Sequence, residues 1–174
     1  MECGVILFKK GETLTLEAYT DADYSGSVVD RRSTSGYCTF LRGNLVTWRS
    51  KKQNVVARSS AEAKFRAMAL GVCELLWLKN ILEDLKVKWE GPMKLYCDNK
   101  SSISIAHNPV QHDRTKHIEV DRHFIKEKLD SGLICTAFVS SSDQLADILT
   151  KGLPGRCFQK LASKLRMDDI HLPA

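Results

Sequence analysis

The residues of this sequence best suited to chemistry are two aspartates, Asp21 and Asp23, at the end of an alternating segment. Leu14, Leu16 and Ala18 alternate with polar residues, which is the period of a half-buried strand, so both carboxylates fall on one face of it. Carboxylates held close together repel each other, and a divalent cation with oxygen ligands, Mg²⁺ or Mn²⁺, relieves that repulsion. A solvated aspartate followed by a turn gives the same pattern, and this segment alone does not separate the two interpretations.

A further candidate ligand is Asp98, which ends a predicted strand over residues 93–98 and stands directly before a helix start. That position is where α/β folds bind ligands. His117 and Asp121 are four residues apart on a predicted helix over 115–129 and could share a metal. Pairing on the helix surface is the favoured interpretation for them.

A basic stretch runs from Arg42 to Arg58, with five basic residues, no acidic one, and Trp48 among them. Basic residues beside an aromatic suit the phosphate backbone of a nucleic acid. A solvated sheet edge protected by lysines has a similar composition, so both interpretations stay open.

The elements that position these residues are predicted in the order β-β-β-α-β-α-α-β-α. The strand that ends in Asp23 and two more at 37–41 and 45–49 are expected to form an antiparallel meander. The longest helix begins at Ser59, which forms a capping-box pattern with Glu62, and its apolar residues recur at helical spacing to about Lys86. After it come the strand at 93–98, helices ending near 106 and 129, a strand at 133–139, and a helix carrying Asp143 and Asp147.

The composition is typical of one globular domain: 174 residues, 43% hydrophobic and 27% charged. We expect a lead-in over residues 1–11, a domain over 12–167 and a C-terminal tail over 168–174. The six cysteines occur singly, which indicates neither a zinc site nor a disulfide framework. The first residues lack a signal-peptide pattern and no apolar run is membrane-spanning, so an intracellular location, cytoplasmic or nuclear, is expected. A net charge of +5 is compatible with a polyanionic partner.

Several segments together match the motifs of one family. They are Tyr19–Tyr24 with Arg31–Tyr37, Ser59–Ala63, Tyr96–Ser101, Thr115–Val120 and Asp143–Lys151. In this order they resemble the ribonuclease H domain that ends the Pol polyprotein of Ty1/copia-type retrotransposons, especially those of plants. The resemblance runs from about residue 12 to the C-terminus and implies the α/β RNase H-like fold, a five-stranded mixed sheet flanked by helices on both faces.

The resemblance also implies an activity, hydrolysis of the RNA strand of an RNA–DNA hybrid by two Mg²⁺ (or Mn²⁺) ions. Asp21, Asp98 and Asp147 match three of the four metal-binding carboxylates of the family, and Asp23 is an additional acid beside them. The fourth is expected to be the second glutamate of a Glu-x-Glu-aromatic pattern at the start of the long helix. Here that segment reads Ala-Glu-Ala-Lys-Phe over residues 61–65, so Lys64 replaces the expected catalytic glutamate.

Lys64 limits how far the activity follows from the resemblance. A lysine there removes one anionic ligand and adds a cation, and each unit-charge interaction at about 4 Å is worth roughly 4 kcal/mol at an effective dielectric near 20. Glu62 is a poor substitute because two residues turn a helix by about 200°. We therefore expect weakened metal binding and reduced or lost hybrid cleavage, with Asp23 restoring part of the charge.

Two classes of function stay open from the sequence. The first is a monomeric nuclease acting on RNA–DNA hybrids or other nucleic acid. The second is a catalytically inactive, domesticated module that binds nucleic acid or a protein partner, since Lys64 would itself attract a phosphate. Neither class requires a membrane. The candidate nucleic-acid contacts are Trp48, Arg49, Lys51, Lys52 and Lys100.

Overall fold

A five-stranded mixed sheet forms the centre of the computed structural model, which describes residues 5–6, 14–87, 91–108 and 119–168. A short strand β1 (Val5–Ile6) precedes the five sheet strands, which are β2 (Leu16–Asp23), β3 (Thr34–Leu41), β4 (Asn44–Lys52), β5 (Met93–Cys97) and β6 (Ile134–Phe138). The spatial order is β4-β3-β2-β5-β6. Strand β3 is antiparallel to both β2 and β4, and β5 is parallel to both β2 and β6. The predicted meander and the mixed sheet are therefore confirmed.

Helices cover both faces of this sheet, as predicted. They are α1 (Ser60–Asp84), α2 (Lys100–His107), α3 (Glu119–Asp130) and α4 (Gly155–Leu165). On one face the apolar side of α1 packs on β2 and β5, and α2 and α3 pack beside it, around Phe65, Met68 and Leu95. On the other face α4 and the segment before it pack on Cys38 and Phe40 of β3. Because successive strand residues point to opposite faces, β2 contributes to both cores.

Two features of α1 matter most for the site, namely its N-terminal cap and its close packing against the sheet. Ser59 Oγ accepts a hydrogen bond from the Glu62 backbone N–H at 3.1 Å, which caps the helix as the sequence predicts. Gly71 lets α1 lie close to the sheet, because a Cβ there would stand 2.4 Å from Cγ2 of Thr20. These two features fix both the height of α1 along the sheet and its distance from β2.

The region between β6 and α4 differs from the prediction. Instead of a helix carrying Asp143 and Asp147, the chain forms two short 3₁₀ turns, Ser141–Asp143 and Leu145–Leu149. The fully buried Gln144 lies between them, and its Nε2 donates to the Thr20 carbonyl at 3.1 Å while its Oε1 accepts from the Ala146 N–H. This side chain holds the segment against β2 in place of a continuous helix.

Two other expectations concern the chain ends and the third helix. Val5–Ile6 pairs antiparallel with a strand β7 (Met167–Asp168), a pairing that the sequence did not predict. The described part of the predicted 115–129 helix is α3, and His117 lies outside the described residues. Among the helices that the structure describes, none has the length and apolarity needed to cross a membrane.

Candidate active site

The topology of the sheet brings three aspartates together. Because β2 and β5 are parallel neighbours, their carboxyl ends meet at one edge of the sheet, with Asp21 near the end of β2 and Asp98 just after β5. Asp147 approaches from the second 3₁₀ turn, which packs so tightly on β3 that a Cβ at Gly36 would lie 2.8 Å from Cβ of Leu149. One carboxylate oxygen from each aspartate lies within 4.8 Å of the others, and Asp21 is fully buried.

Lys64 points directly into these aspartates from the first turns of α1. Its Nζ lies 2.8 Å from Asp21 Oδ1 and 2.5 Å from Asp98 Oδ1, and only 11% of its side chain is exposed. The contact with Asp98 is a hydrogen bond, whereas the contact with Asp21 is an ion pair without hydrogen-bond alignment. The lysine that replaces the expected glutamate therefore lies between two of the three carboxylates.

A second ammonium group, which the sequence reasoning missed, comes from Lys151. Its Nζ lies 2.7 Å from Asp147 Oδ1 and 3.4 Å from Asp21 Oδ2, and 34% of its side chain is exposed. The signal available in the sequence was the spacing of four residues between Asp147 and Lys151, which is typical of an ion pair. We refer to Asp21, Asp98, Asp147, Lys64 and Lys151 as the five-charge cluster.

Neutral groups complete the hydrogen bonding of the aspartates. Thr150 Oγ1 donates to Asp21 Oδ2 at 2.5 Å. Ser141 Oγ, in the first 3₁₀ turn, donates to Asp98 Oδ2 at 3.1 Å. Both donors lie in the segment between β6 and α4. With Lys151, this segment supplies three of the residues that contact the carboxylates.

The pKa shifts follow from burial and from the lysines. Burial raises the pKa of Asp21, but the close Lys64 ammonium, the hydrogen bond from Thr150 and the charge of Lys151 lower it by more, so its net pKa is lowered. Burial lowers the pKa of Lys64 and of Lys151, but their aspartate partners raise both pKa values above the usual range. Burial and the negative charge of Asp21 raise the pKa of Asp147 despite its bond to Lys151. Both ammonium groups are therefore charged at neutral pH.

The five-charge cluster has the oxygen ligands that a divalent cation prefers, but its two lysine charges oppose cation binding. Three carboxylates are the hard oxygen ligands that Mg²⁺ and Mn²⁺ prefer. However, the facing oxygens of Asp21 and Asp98 contact Lys64, and those of Asp21 and Asp147 contact Lys151. The residues as they lie do not fit two dications, because one ammonium group lies between Asp21 and Asp98 and another between Asp21 and Asp147.

Asp23 lies outside this group of three aspartates, although the sequence placed it on the same strand face. Its Oδ1 accepts a hydrogen bond from the backbone N–H of Thr34 on β3, and its carboxylate stands where a side chain at Gly26 would lie. Asp23 therefore ties the end of β2 to the start of β3 across the loop between them.

The basic residues of β4 do not share one surface. Successive residues of a strand point to opposite faces, so Arg49 and Lys51 lie on one side of this edge strand and Trp48 and Lys52 on the other. Trp48 is 47% exposed. Lys52 is engaged with the loop between β2 and β3, since its Nζ lies 2.9 Å from Asp30 Oδ2.

Lys100, the remaining predicted phosphate contact, begins α2 two residues after Asp98. It is exposed, and its Nζ lies 4.9 Å from the centroid of the half-exposed Phe138 ring at the end of β6. The parallel pairing of β5 and β6 places this contact at the same edge of the sheet as the aspartates.

Comparison with known proteins agrees with this fold. The chain is 44% identical over 160 residues to the retrovirus-related Pol polyprotein from transposon RE1 of Arabidopsis thaliana, covering 92% of the chain and 11% of the polyprotein. It is 36% identical over 149 residues to the corresponding polyprotein from transposon TNT 1-94 of Nicotiana tabacum, covering 86% of the chain and 11% of the polyprotein. The chain thus spans about a tenth of the length of these relatives. No protein-family model matches it.

Solved structures show the same fold at low sequence identity. LC11-RNase H1, isolated from compost by a metagenomic approach, superposes with a TM-score of 0.56 at 13% identity, covering 85% of this chain and 98% of that one. RNase H1 from the archaeon Halobacterium salinarum superposes with a TM-score of 0.53 at 15% identity, covering 78% and 94%. The chain is therefore a domain of the RNase H fold. Its homologues are retrovirus-related Pol polyproteins from Ty1/copia-type transposons, in agreement with the motifs.

Proposed function

We propose that this chain is a ribonuclease H-like domain that binds RNA–DNA hybrids but has little or no hybrid-cleaving activity. The observation that carries the proposal is the position of Lys64 Nζ, 2.8 Å from Asp21 and 2.5 Å from Asp98. Family membership supports the ancestral activity, and a structural neighbour, LC11-RNase H1, has been solved in complex with an RNA/DNA hybrid. That neighbour is 10% identical to this chain and supports the fold only.

The reason for impaired cleavage is electrostatic. Hydrolysis in this family depends on Mg²⁺ or Mn²⁺ held by carboxylates, and we propose Asp21, Asp98 and Asp147 as the ancestral ligands. In the present arrangement the Lys64 ammonium is paired with two of them, so a dication would meet a positive charge as well as fewer free oxygens. We derive no hydrolytic step for the chain in this state.

Hybrid binding does not require the metal site. Arg49, Lys51 and Lys100 are exposed, so they are available to phosphates along the strand and helix edges. Lys64 is a weak candidate for this role, because it is buried and already paired with two carboxylates. We therefore assign hybrid affinity to the exposed basic residues rather than to Lys64.

The decisive experiment is a cleavage assay with a hybrid labelled on its RNA strand, in Mg²⁺ and in Mn²⁺. The wild-type chain should cleave at or near background, and Lys64→Glu should cleave at least about 100-fold faster, a typical effect of restoring one charge-stabilising group. Lys79→Glu is the matched control, since it makes the same change in the C-terminal half of α1, at a lysine paired with Glu83 rather than with the aspartates. Wild-type turnover equal to that of Lys64→Glu would refute the proposal.

Hybrid binding is tested separately through its salt dependence. If Arg49, Lys51 and Lys100 contact phosphates, each alanine substitution should reduce the slope of log affinity against log salt by about one. Binding that is absent, or independent of salt, would instead favour the alternative of an inactive module with a protein partner.

A further inference from the structure

We propose that Lys64 and Lys151 are paired built-in counter-ions of the aspartates, each closing a separate divalent-cation position and together making the five-charge cluster a structural element. This inference deepens the proposed function and rests on the same site. It adds that Lys151 blocks cation binding independently of Lys64, so that restoring the glutamate alone does not restore the full capacity for cations.

The first argument is how the contacts are divided. Asp21 holds one ammonium group on each carboxylate oxygen, Lys64 on Oδ1 at 2.8 Å and Lys151 on Oδ2 at 3.4 Å. The second contact of Lys64 goes to Asp98, and the second contact of Lys151 goes to Asp147. The cluster therefore has two positive positions that share only Asp21, and each of them has its own second aspartate.

The second argument is the balance of charge at a buried site. With its carboxylates ionised, the cluster carries three negative and two positive charges, a net charge of −1. Removing either lysine leaves −2 around Asp21, which is fully buried, and an uncompensated buried charge is strongly unfavourable. Both lysines are needed for this balance, which two bound dications would otherwise provide.

The third argument is that the two lysines come from different faces of the sheet. Lys64 belongs to α1, whereas Lys151 follows the 3₁₀ turn that packs on the opposite face together with α4. Asp21 of the central strand β2 joins them. The cluster therefore ties α1 to the C-terminal segment through charge pairs, without a bound cation.

The fourth argument is that the two positions differ in how readily they open. The Lys64 side chain is 11% exposed and contacts two buried or half-buried carboxylates, whereas the Lys151 side chain is 34% exposed and can turn toward solvent. A dication should therefore displace Lys151 more easily than Lys64. This order of displacement predicts which lysine substitutions allow a dication to bind and how strongly they raise its affinity.

The test is Mn²⁺ binding to the full chain, measured by calorimetry and by the electron paramagnetic resonance signal of free Mn²⁺. The variants are Lys64→Glu, Lys151→Gln, the double variant, and Lys164→Gln as a control, because Lys164 forms a 2.6 Å pair with Asp143 outside the cluster. Wild type and the control should bind no Mn²⁺ at 1 mM, roughly the weak end of protein affinities for such ions. Lys64→Glu should bind one ion.

The outcome for Lys151 decides the proposal. Adding Lys151→Gln to Lys64→Glu should give a second bound ion, or at least about tenfold tighter binding, because a nearby positive charge is removed. If it changes neither number nor affinity, Lys151 is not a counter-ion and the proposal is overturned, while the effect of Lys64→Glu on cleavage still tests the proposed function.

Thermal unfolding keeps the proposal testable if the double variant does not fold. The wild-type chain should have the same melting temperature, within about 1 °C, in excess EDTA and in 10 mM Mg²⁺, since a ligand stabilises only a state that it binds. Stabilisation of the wild type by several degrees in Mg²⁺ would overturn the proposal without any variant.

Discussion

Lys64→Met should destabilise the fold, because it removes the buried charge while keeping most of the apolar stem. The side chain is only 11% exposed, so the methionine can fill nearly the same space. What is lost is the ammonium group between Asp21 and Asp98, and these two carboxylates are left facing each other.

The size of the effect can be estimated from the two contacts. At 2.8 and 2.5 Å, with an effective dielectric near 20, the gross attractions are about 6 and 7 kcal/mol. Most of this is offset by the desolvation of the ammonium group, and breaking a buried pair typically has a net effect of about 3–5 kcal/mol. Lys151 still contacts Asp21, so we expect the lower end, about 3 kcal/mol. For a chain of 174 residues this is roughly 6–12 °C in melting temperature.

Urea unfolding followed by circular dichroism at several pH values tests this estimate. The pKa of Asp21 is lowered in the fold, so its stabilising pair with Lys64 is fully present above the unfolded pKa and is lost as pH falls through the lowered folded pKa. The difference between wild type and variant should therefore be largest near neutral pH and shrink in acid. The control Lys164→Met removes an exposed pair and should change stability little. Equal stability of wild type and Lys64→Met at pH 7, or a difference that does not change with pH, would contradict the reasoning.

Three further predictions concern the framework that holds the site. Gly71→Ala should destabilise the fold by about 1–3 kcal/mol in the same urea assay, because its Cβ would lie 2.4 Å from Cγ2 of Thr20. Relief requires either a shift of α1 away from β2 or a rotation of Thr20, whose Oγ1 donates to the Tyr96 carbonyl. Ser59→Ala should lower stability by about 1 kcal/mol through loss of the α1 cap, whereas Ser59→Asp should retain it. Cys73, which is exposed, should react with a thiol reagent in the native protein, whereas Cys38, whose pKa burial raises to about 12, should react only on unfolding. The labelled peptides are identified by mass spectrometry, and modification of Cys38 before Cys73 would contradict this prediction.

The sequence was sufficient for the parts of the site that regular elements position. Strand alternation and the strand end placed Asp21, the helix start after a strand placed Asp98, and the motif of the resembled family placed Lys64 in the first turns of α1. In each case one repeating geometry connects the residue to its direction, so a pattern in the sequence is enough. The assignment of these residues as ancestral metal ligands stays a prediction.

The parts that the sequence did not predict depend on irregular backbone. Asp147 and Lys151 lie where a helical pattern was expected, but the chain there forms 3₁₀ turns held by the buried Gln144. The hydrogen bond from Gln144 to the Thr20 carbonyl of β2 sets the direction of this whole segment. A single bond of this kind leaves no periodic pattern in the sequence from which it could be predicted. The position of Asp23 outside the group of three aspartates has a related cause, since its carboxylate accepts a hydrogen bond from a backbone N–H of the neighbouring strand.

Glu62 does not supply to the aspartates the negative charge that a glutamate at position 64 would have supplied. Its Oε2 accepts from the Arg58 backbone N–H at 3.0 Å, and its Oε1 lies 3.0 Å from Arg66 on the next turn. These bonds hold its carboxylate on the other side of α1 from the aspartates, as the helical rotation predicts.

The identity of the residue that replaces glutamate also bears on why the fold persists. A neutral residue at position 64 would leave Asp21 and Asp98 to repel each other whenever no cation is bound, whereas a lysine turns that repulsion into attraction. Lys64 therefore compensates the repulsion between these two carboxylates, as bound dications do in a catalytic site. It follows that the lysine–aspartate ion pairs that stabilise the domain without a metal ion also oppose metal binding. A variant that regains cation binding should therefore depend on the bound cations for its stability.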